Sequence, residues 1–505
     1  MTAIDSIDPT TGASAGQVAE ETRPGDVASI AAAAARAAAP FRGAGRQFRA
    51  TLLRRIADDL EARRDEIVAV AQRETGLAEA RLGGELIRTA YQARFFAEVV
   101  EEGSYLEATI DHAGDTPMGP GPDLRRMLVP IGAVAVFGAS NFPLAFSVPG
   151  GDTVAALAAG CPVIVKAHDS HPALSLLTFA ILRQAAESLG APDGVLGIVF
   201  GTTAGAALVA DANIRAAGFT GSLQGGRALA EIAARRAEPI PFYGEMASLN
   251  PVVLSAGALT ARRAALVEGF VASVTGSGGQ LCTKPGIVLV PKGVAGDRFV
   301  TDAVAAYAEA RPTTLLNARI AEAFGESIAG FAASASHRVL VRGGRDSGPG
   351  FAVTPTLIEI DCEDLDPGSI EECFGPASIL IRYDDRSLDR LLTGFGGSLT
   401  ATVHAEPDET AFAQYIAAVM LPRAGRLLFG GWPTGVLVAW AQTHGGPWPA
   451  ASSQHTSVGA TSIRRFLRPV TWQSAPSALL PEELADGYTA IPRRIDGRLV
   501  LAPDR

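Results

Sequence analysis

Apolar positions along this chain fall into two registers. From about Pro24 to Val100 they recur at helical spacing, with Leu52, Ile56 and Leu60 among them, in a background of alanine, arginine and glutamate. That pattern predicts a run of helices whose charges are solvated faces. Residues 104–128 break it: prolines and glycines surround short apolar pieces, which suits a hairpin or arm. Short apolar runs then alternate with helical ones. Ile131–Phe137, Pro162–Val165, Val195–Phe200 and Ala216–Phe219 read as strands; Asp152–Ala159, Pro172–Leu189 and Gln224–Arg236 read as helices. Apolar strands alternating with helices predict an α/β fold, a doubly wound parallel sheet covered on both faces. Ligands of such sheets bind at the carboxyl ends of the strands, and Asn141, Lys166, Gly201 and Ser222 lie just past those ends.

A second αβ region runs from about Ala247 to Phe429. It holds a glycine-rich turn, Gly276 to Gly286, with Cys282 inside it and the apolar run Ile287–Val290 behind it. Helical stretches near Phe299–Arg311 and Asn317–Ala333 and a strand at Ala377–Ile381 follow. The C-terminal part, from Phe466 to Gln473 and beyond, reads as a strand and an extended tail suited to packing on a partner subunit. Residues 1–25 read as an extended lead-in with turn chemistry at Asp8–Gly12. Within it, Gly12 to Gly16 matches the hydrolase pattern G-x-S-x-G around Ser14. The nucleophile elbow needs a preceding strand, and none is expected there, so the match is read as chance.

Composition narrows the function classes. At 505 residues the chain is expected to divide into two or three domains. A net charge of −10 leaves no basic stripe for a nucleic acid. Gly160 and Pro162 interrupt the longest apolar stretch, so no membrane span is expected, and the polar segment Met1–Asp8 is no signal peptide. Four cysteines (Cys161, Cys282, Cys362, Cys373) make no disulfide framework and point to a cytoplasmic home. Metal-ligand spacings are absent, so no metal site is expected. Lys166, Lys284 and Lys292 are the only lysines among 43 basic residues, which draws attention to each of them, Lys166 above all.

Several positions carry chemistry. Cys282, on a turn and not in an apolar run, is a candidate nucleophile as its thiolate, beside the common reading of a cysteine as a small buried hydrophobe. Glu245 follows the apolar run Ile240 to Tyr243, where burial would raise its pKa and suit it to take a proton; an ordinary boundary acid reads the same way. The amide of Asn141 suits a developing oxyanion, or simply a turn. Phe219-Thr220-Gly221-Ser222 opens a helix after a strand, the context for a phosphate, with Lys166 at another strand end. Asp169 suits a ribose or an exposed helix start. Cys161, read as lying in a strand, and Cys362 and Cys373 are read as structural.

Taken together, Asp8-Pro9-Thr10-Thr11-Gly12, Ser140-Asn141-Phe142-Pro143, Val165-Lys166, Phe219-Thr220-Gly221-Ser222, Gly244-Glu245-Met246, Gly279-Gln280-Leu281-Cys282 and Glu372-Cys373-Phe374-Gly375-Pro376 resemble the aldehyde dehydrogenase superfamily, in its order and over essentially the whole chain. The resemblance implies a Rossmann-type cofactor domain (1–107 and 129–246), a catalytic domain (247–445), and an oligomerisation arm and tail (108–128 and 460–505). It implies Cys282 as nucleophile, Glu245 as general base and Asn141 with the Cys282 backbone N–H as oxyanion hole. The cofactor, NADP or NAD with NADP slightly favoured, is assigned Lys166, Asp169, Gly201, Gly205, Gly221, Ser222, Glu372 and Phe374.

Phe137 to Asn141, Pro241 to Met246, Gly431-Trp432-Pro433-Thr434-Gly435 and His444-Gly445-Gly446-Pro447 look most like the ketoglutarate semialdehyde (2,5-dioxovalerate) dehydrogenases, close to NADP-dependent fatty aldehyde dehydrogenases. Gly430 departs from that subgroup's usual asparagine, and Ala247 and Leu249 vary the segment after Glu245. Implied are oxidation of an aldehyde to an acid through a cysteine thioester, a homodimer or homotetramer, and a small-molecule substrate. A CoA-acylating enzyme is disfavoured by Glu245, and a non-catalytic binding protein is the alternative from another class.

Overall fold

The computed structural model of the chain describes residues 2–334, 336–345 and 348–503. Strands β1 (Ala3–Asp8) and β2 (Ala13–Glu20) pair as an antiparallel hairpin. Four helices follow: α1 (Pro24–Gly43), α2 (Gly45–Ala62), α3 (Arg64–Thr75) and α4 (Glu79–Glu102). The arm holds β3 (Thr109–Asp111), β4 (Gly114–Thr116), β5 (Gly119–Gly121) and β6 (Leu124–Pro130).

The doubly wound part runs β7 (Ala133–Phe137), α5 (Gly151–Ala159), β8 (Val163–Lys166), α6 (Pro172–Ser188), β9 (Leu196–Val199), α7 (Thr202–Ala210), β10 (Ile214–Thr220), α8 (Leu223–Arg235) and β11 (Phe242–Glu245). Its strands are all parallel, in the order β11-β10-β7-β8-β9. β7 shows why its sequence is apolar throughout. Ala133, Ala135 and Phe137 pack with Val27, Ala31, Leu208 and Val209 on one face, while Val134 and Val136 join Ile56 and Leu182 in the larger core on the other. The chain winds from β7 to one edge and returns to β10 on β7's other side. The crevice of such a sheet therefore opens between β7 and β10.

The second region comprises β12 (Val252–Leu254), α9 (Ala256–Thr275), β13 (Ile287–Pro291), α10 (Val294–Ala308), β14 (Thr313–Thr314), α11 (Ala318–Ala333), β15 (His337–Val341), β16 (Gly344–Arg345), β17 (Ala352–Thr354), β18 (Thr356–Asp361), β19 (Ala377–Tyr383), α12 (Leu388–Gly394), β20 (Ser398–His404), α13 (Thr410–Met420) and β21 (Ala424–Phe429). Seven of these strands form a sheet in the order β15-β18-β19-β13-β12-β20-β21, parallel except for β15. The tail supplies β22 (Leu467–Gln473), β23 (Arg493–Ile495) and β24 (Arg498–Val500), in a sheet ordered β22-β6-β3-β23-β24.

Some expectations change here. Residues 1–25 contain a hairpin, so a strand does precede Ser14. The elbow reading still fails, because β2 and no helix follows the turn, and Ser14 is exposed in β2. The tail strand β22 pairs antiparallel with the chain's own arm strand β6. Cys161 lies before β8, not in a strand, buried with its Sγ donating to the Phe466 carbonyl at 3.3 Å. Helices α7 and α9 escape the sequence reading. Among the described residues no helix is long and apolar enough to cross a membrane.

One buried ion pair ties the doubly wound part to the C-terminal segment. The side chain of Arg465, 2% exposed, donates from Nη2 to Asp152 Oδ1 at 2.6 Å, and its Nε to the Ser462 carbonyl at 3.2 Å. Removing one partner of such a pair leaves an uncompensated buried charge. Arg465→Met should lower the unfolding free energy by about 3 kcal/mol, read as a shifted urea midpoint; an unmoved midpoint would refute the coupling.

Candidate active site

The loop carrying Cys282 is built by backbone that few residues tolerate. After α9 the chain enters Gly276–Gly279 with Ser277, Gly278 and Gly279 at φ 51°, 67° and 67°. A Cβ on Gly279 would stand 2.3 Å from the Gly375 carbonyl carbon and oxygen, so the loop lies backbone to backbone on the Glu372–Pro376 segment. Lys284, buried, bridges the same two pieces, its Nζ donating to the carbonyls of Cys373 at 2.8 Å and Ala377 at 2.7 Å. Asn250 Nδ2 donates to the carbonyls of Cys282 (2.8 Å) and Lys284 (2.9 Å). Gln280 Oε1 accepts from the Leu316 N–H at 3.0 Å. The cysteine's backbone is thus held on several sides.

Around its sulfur three groups converge. Cys282 Sγ lies 3.4 Å from His444 Nε2, and Glu245 Oε1 lies 2.9 Å from the same nitrogen. All three functional atoms sit within 4.8 Å of one another. Glu245 ends β11 and is buried; its Oε2 accepts the Ser457 hydroxyl at 2.7 Å. His444, wholly buried, is positioned by its N–H donating to Thr456 Oγ1 at 2.7 Å and its carbonyl accepting from the Ser457 N–H at 2.7 Å. Asn141, past the end of β7, donates from Nδ2 to the Gln280 carbonyl at 2.8 Å, which aims the amide at the cysteine loop.

The electrostatics of the cluster separate its members. Burial pushes the Cys282 thiol well above its usual range, and the charges of Glu245 and Glu372 push it further. Burial also raises Glu245, but the charge and contact of His444 and the Ser457 hydroxyl outweigh it and leave the carboxyl below the usual range. This corrects the expected raised pKa: β11's apolar neighbours were legible, whereas His444 arrives from far along the chain. Burial lifts Glu372 to about 7 against the attraction of Lys284.

Most of the residues considered for a cofactor lie at or just past the carboxyl ends of the sheet's strands, while Glu372 and Phe374 come from the second region. Lys166, ending β8, donates from Nζ to Asp169 Oδ1 at 2.8 Å. Ser222 caps α8, its Oγ accepting from the Gly225 N–H at 3.2 Å, with Gly221 beside it. Gly201 caps α7 at φ 93°, and Gly205 lies inside that helix, where a Cβ would meet the Phe137 ring at 3.0 Å and Lys166 Cγ at 3.4 Å. Glu372 and Phe374, both half-buried, sit on the segment packed against Gly279, with Glu372 Oε2 accepting the Ser248 N–H at 3.3 Å. This donor set fits a dinucleotide: free first-turn N–H groups of α8 and an ammonium for phosphates, and carboxylates for ribose hydroxyls.

Cys282 also lines a cavity of about 420 Å³, together with Arg88 and Tyr91 of α4, Phe142 and Phe146, and Val436 to Val438. The sequence reading located Cys282, Glu245 and Asn141, which the fold brings to one place, but assigned no role to His444, Ser457 or Arg88. His444 was noticed only as part of a motif. Arg88 carried one signal, its place with Gly84, Ile87 and Tyr91 on one face of a helix.

The sequence matches the model of the aldehyde dehydrogenase family over residues 1–393. It is 46% identical over 465 residues to alpha-ketoglutaric semialdehyde dehydrogenase 2 of Azospirillum brasilense, covering 89% of this chain and 87% of that protein. It is 40% identical over 505 residues to alpha-ketoglutaric semialdehyde dehydrogenase of Acinetobacter baylyi, covering 98% and 95%. The fold is shared with 1-pyrroline-5-carboxylate dehydrogenase from Thermus with bound NAD (TM-score 0.80, 22% identity, 93% of this chain and 89% of that one).

A thiol raised this far has little thiolate at neutral pH, and the thiolate is the nucleophile. Alkylation of Cys282 by iodoacetamide in the cofactor-free protein should therefore be slow at neutrality and still rising through pH 9. A rate that levels off below pH 8.5, the range of a free thiol, would refute this environment.

Proposed function

The chain belongs to the aldehyde dehydrogenase family, and we propose that it oxidises 2-oxoglutarate semialdehyde (2,5-dioxovalerate) to 2-oxoglutarate with NAD(P) as oxidant. The observation that carries the chemistry is the convergence of Cys282, His444 and Glu245 within 4.8 Å, with Cys282 also lining a cavity. The names of the two relatives at 46% and 40% identity support the substrate.

Cys282 Sγ attacks the aldehyde carbon as its proton passes to Glu245, which releases it to solvent before the thioester is hydrolysed. The resulting oxyanion takes a hydrogen bond from Asn141 Nδ2, whose other hydrogen is held by Gln280, and one from the Cys282 backbone N–H. A nicotinamide held at the crevice would supply the acceptor for the hydride that leaves this carbon. A thioester remains on Cys282. Glu245, held ionised by His444 and Ser457, takes a proton from water as the water attacks the thioester; the tetrahedral adduct collapses to the acid and frees the thiolate.

The cofactor would be held by Lys166, Asp169, Gly201, Gly205, Gly221, Ser222, Glu372 and Phe374, with residues 1–107 and 129–246 as its domain and 247–445 as the catalytic one. Its preference follows from charge. The lean toward NADP rests on Lys166 and His168, yet burial holds His168 well below its usual pKa, so it brings no charge to a phosphate. Lys166 is already paired with Asp169, whose carboxylate would repel a 2′-phosphate. We therefore read NAD as accepted at least as well as NADP. The free cysteines suit a cytoplasmic location, and the arm and the tail at 108–128 and 460–505 suit a homo-oligomer. A second reading, a fatty aldehyde dehydrogenase, draws on the mainly apolar lining of the cavity.

Initial rates of NAD and NADP reduction with dioxovalerate and with octanal decide between these. A kcat/KM at least ~100-fold higher for dioxovalerate, about 2.7 kcal/mol, is expected; a preference for octanal would establish the second reading instead. Asp169→Ala should raise the NADP-to-NAD ratio of kcat/KM about tenfold at low ionic strength. A ratio unmoved by the substitution would remove Asp169 from cofactor selection.

A further inference from the structure

Among the described residues, Arg88 is the one charged residue lining the cavity that contains Cys282. It projects from the face of α4 that also presents Gly84, Ile87 and Tyr91, a spacing of three, four and seven residues that keeps all four on one side. Its Nε donates to the Val436 carbonyl at 3.2 Å, and its guanidinium lies over the Phe146 ring, 5.0 Å from the centroid. Those contacts fix the plane of the fork. Both terminal nitrogens are buried and have no hydrogen-bond partner among the described residues.

The neighbouring carboxylate does not account for this cation. Glu85 Oε1 accepts the N–H groups of Leu144 and Ala145, each at 2.8 Å, and its Oε2 is engaged by Arg81. Glu85 is therefore occupied in holding the turn after Asn141. Arg426 also has unpartnered nitrogens, but it is not among the residues lining this cavity. A buried guanidinium with two idle donors is unfavourable unless something with paired acceptors meets them, and arginine keeps its charge in any protein environment.

We infer that Arg88 is the anchor for the substrate's carboxylate. The inference rests on the function proposed above and extends it from a named substrate to a residue. A carboxylate meets the two terminal nitrogens as a fork on a fork, while the aldehyde end of the same molecule reaches Cys282. The remaining lining, Phe142, Phe146, Tyr91 and Val436 among it, packs the methylenes between the two ends. The ligand class is thus a short aldehyde with an anionic carboxylate at its far end. A neutral aldehyde of the same length fits the apolar walls but leaves the two donors unpaired, and that penalty selects against it.

The test compares dioxovalerate with pentanal, which has the same carbon count and no charge, in the wild type, Arg88→Met and Arg88→Gln. The dioxovalerate-to-pentanal ratio of kcat/KM should fall at least ~100-fold in both variants, equivalent to about 2.7 kcal/mol, with the loss mainly in KM for dioxovalerate. Glutarate should compete with pentanal in the wild type and fail to do so in either variant. Because Arg88→Gln keeps a polar side chain of similar reach, it serves if Arg88→Met folds poorly. A wild type that prefers dioxovalerate, with the ratio and the glutarate inhibition unmoved in the variants, overturns Arg88 as anchor and leaves the function standing. A wild type without that preference overturns the substrate reading itself.

Discussion

A thiol, an imidazole and a carboxylate share one buried space around His444 Nε2, and much of the molecule is arranged to make that tolerable. A buried carboxylate is unfavourable unless hydrogen bonds and opposite charge compensate it. Glu245 receives both from a single C-terminal segment: the Ser457 hydroxyl on one oxygen and His444 against the other. That segment is in turn fixed by Thr456 and Ser457 to His444, and by Arg465 to Asp152 at the start of α5. A long connection from the cofactor-type sheet to the tail thus ends in the protonation state of one acid. The thiol faces the opposite balance. With burial and two carboxylates against ionisation, it must lose its proton to a neighbour as it reacts.

The loop that presents the thiol solves a different problem, holding Cys282 and the Glu372 segment on one rigid piece. Gly279 lies on the backbone of Gly375, and Lys284 pins the carbonyls flanking Phe374 and Gly375 to the strand behind Cys282. A compact ammonium reaches two carbonyls at once; arginine's wider planar fork would not fit that narrow gap. Motion of Glu372 relative to Cys282 would require both contacts to break.

Much of this was legible in sequence where the signal was local. Fully apolar strands such as Ile131–Phe137 announced a sheet covered on both faces, and β7 packs into separate cores on its two faces. Cys282 stood out by its glycines, and Asn141 and Lys166 by their places after strands. The misses are of another kind. Helix α7 is too short and too uniformly apolar to show a helical stripe, and the strand before Ser14 is too polar to read as one. His444 and Ser457 belong to a loop with no periodicity, so their approach to Glu245 is a property of tertiary structure alone. Lysine scarcity pointed toward Lys166, whereas the more deeply constrained lysine is Lys284, buried without any carboxylate partner among its hydrogen bonds.

The chain carries a net charge of −10, yet the reaction gathers further negative charge in its interior: Glu245, a developing oxyanion and, with a carboxylate-bearing aldehyde, the substrate itself. Like charges in a volume of low dielectric repel strongly, and an all-apolar pocket would reject such a substrate outright. Two arginines alter that balance from different elements, since Arg88 on α4 and Arg426 on β21 both feel Cys282 and Glu245 electrostatically. Burial depresses both guanidinium groups, because neither is fully solvated. An anion that met Arg88 in the cavity would relieve its deficit instead of adding to the repulsion. A carboxylate that a neutral pocket would exclude would then balance the pocket's charge.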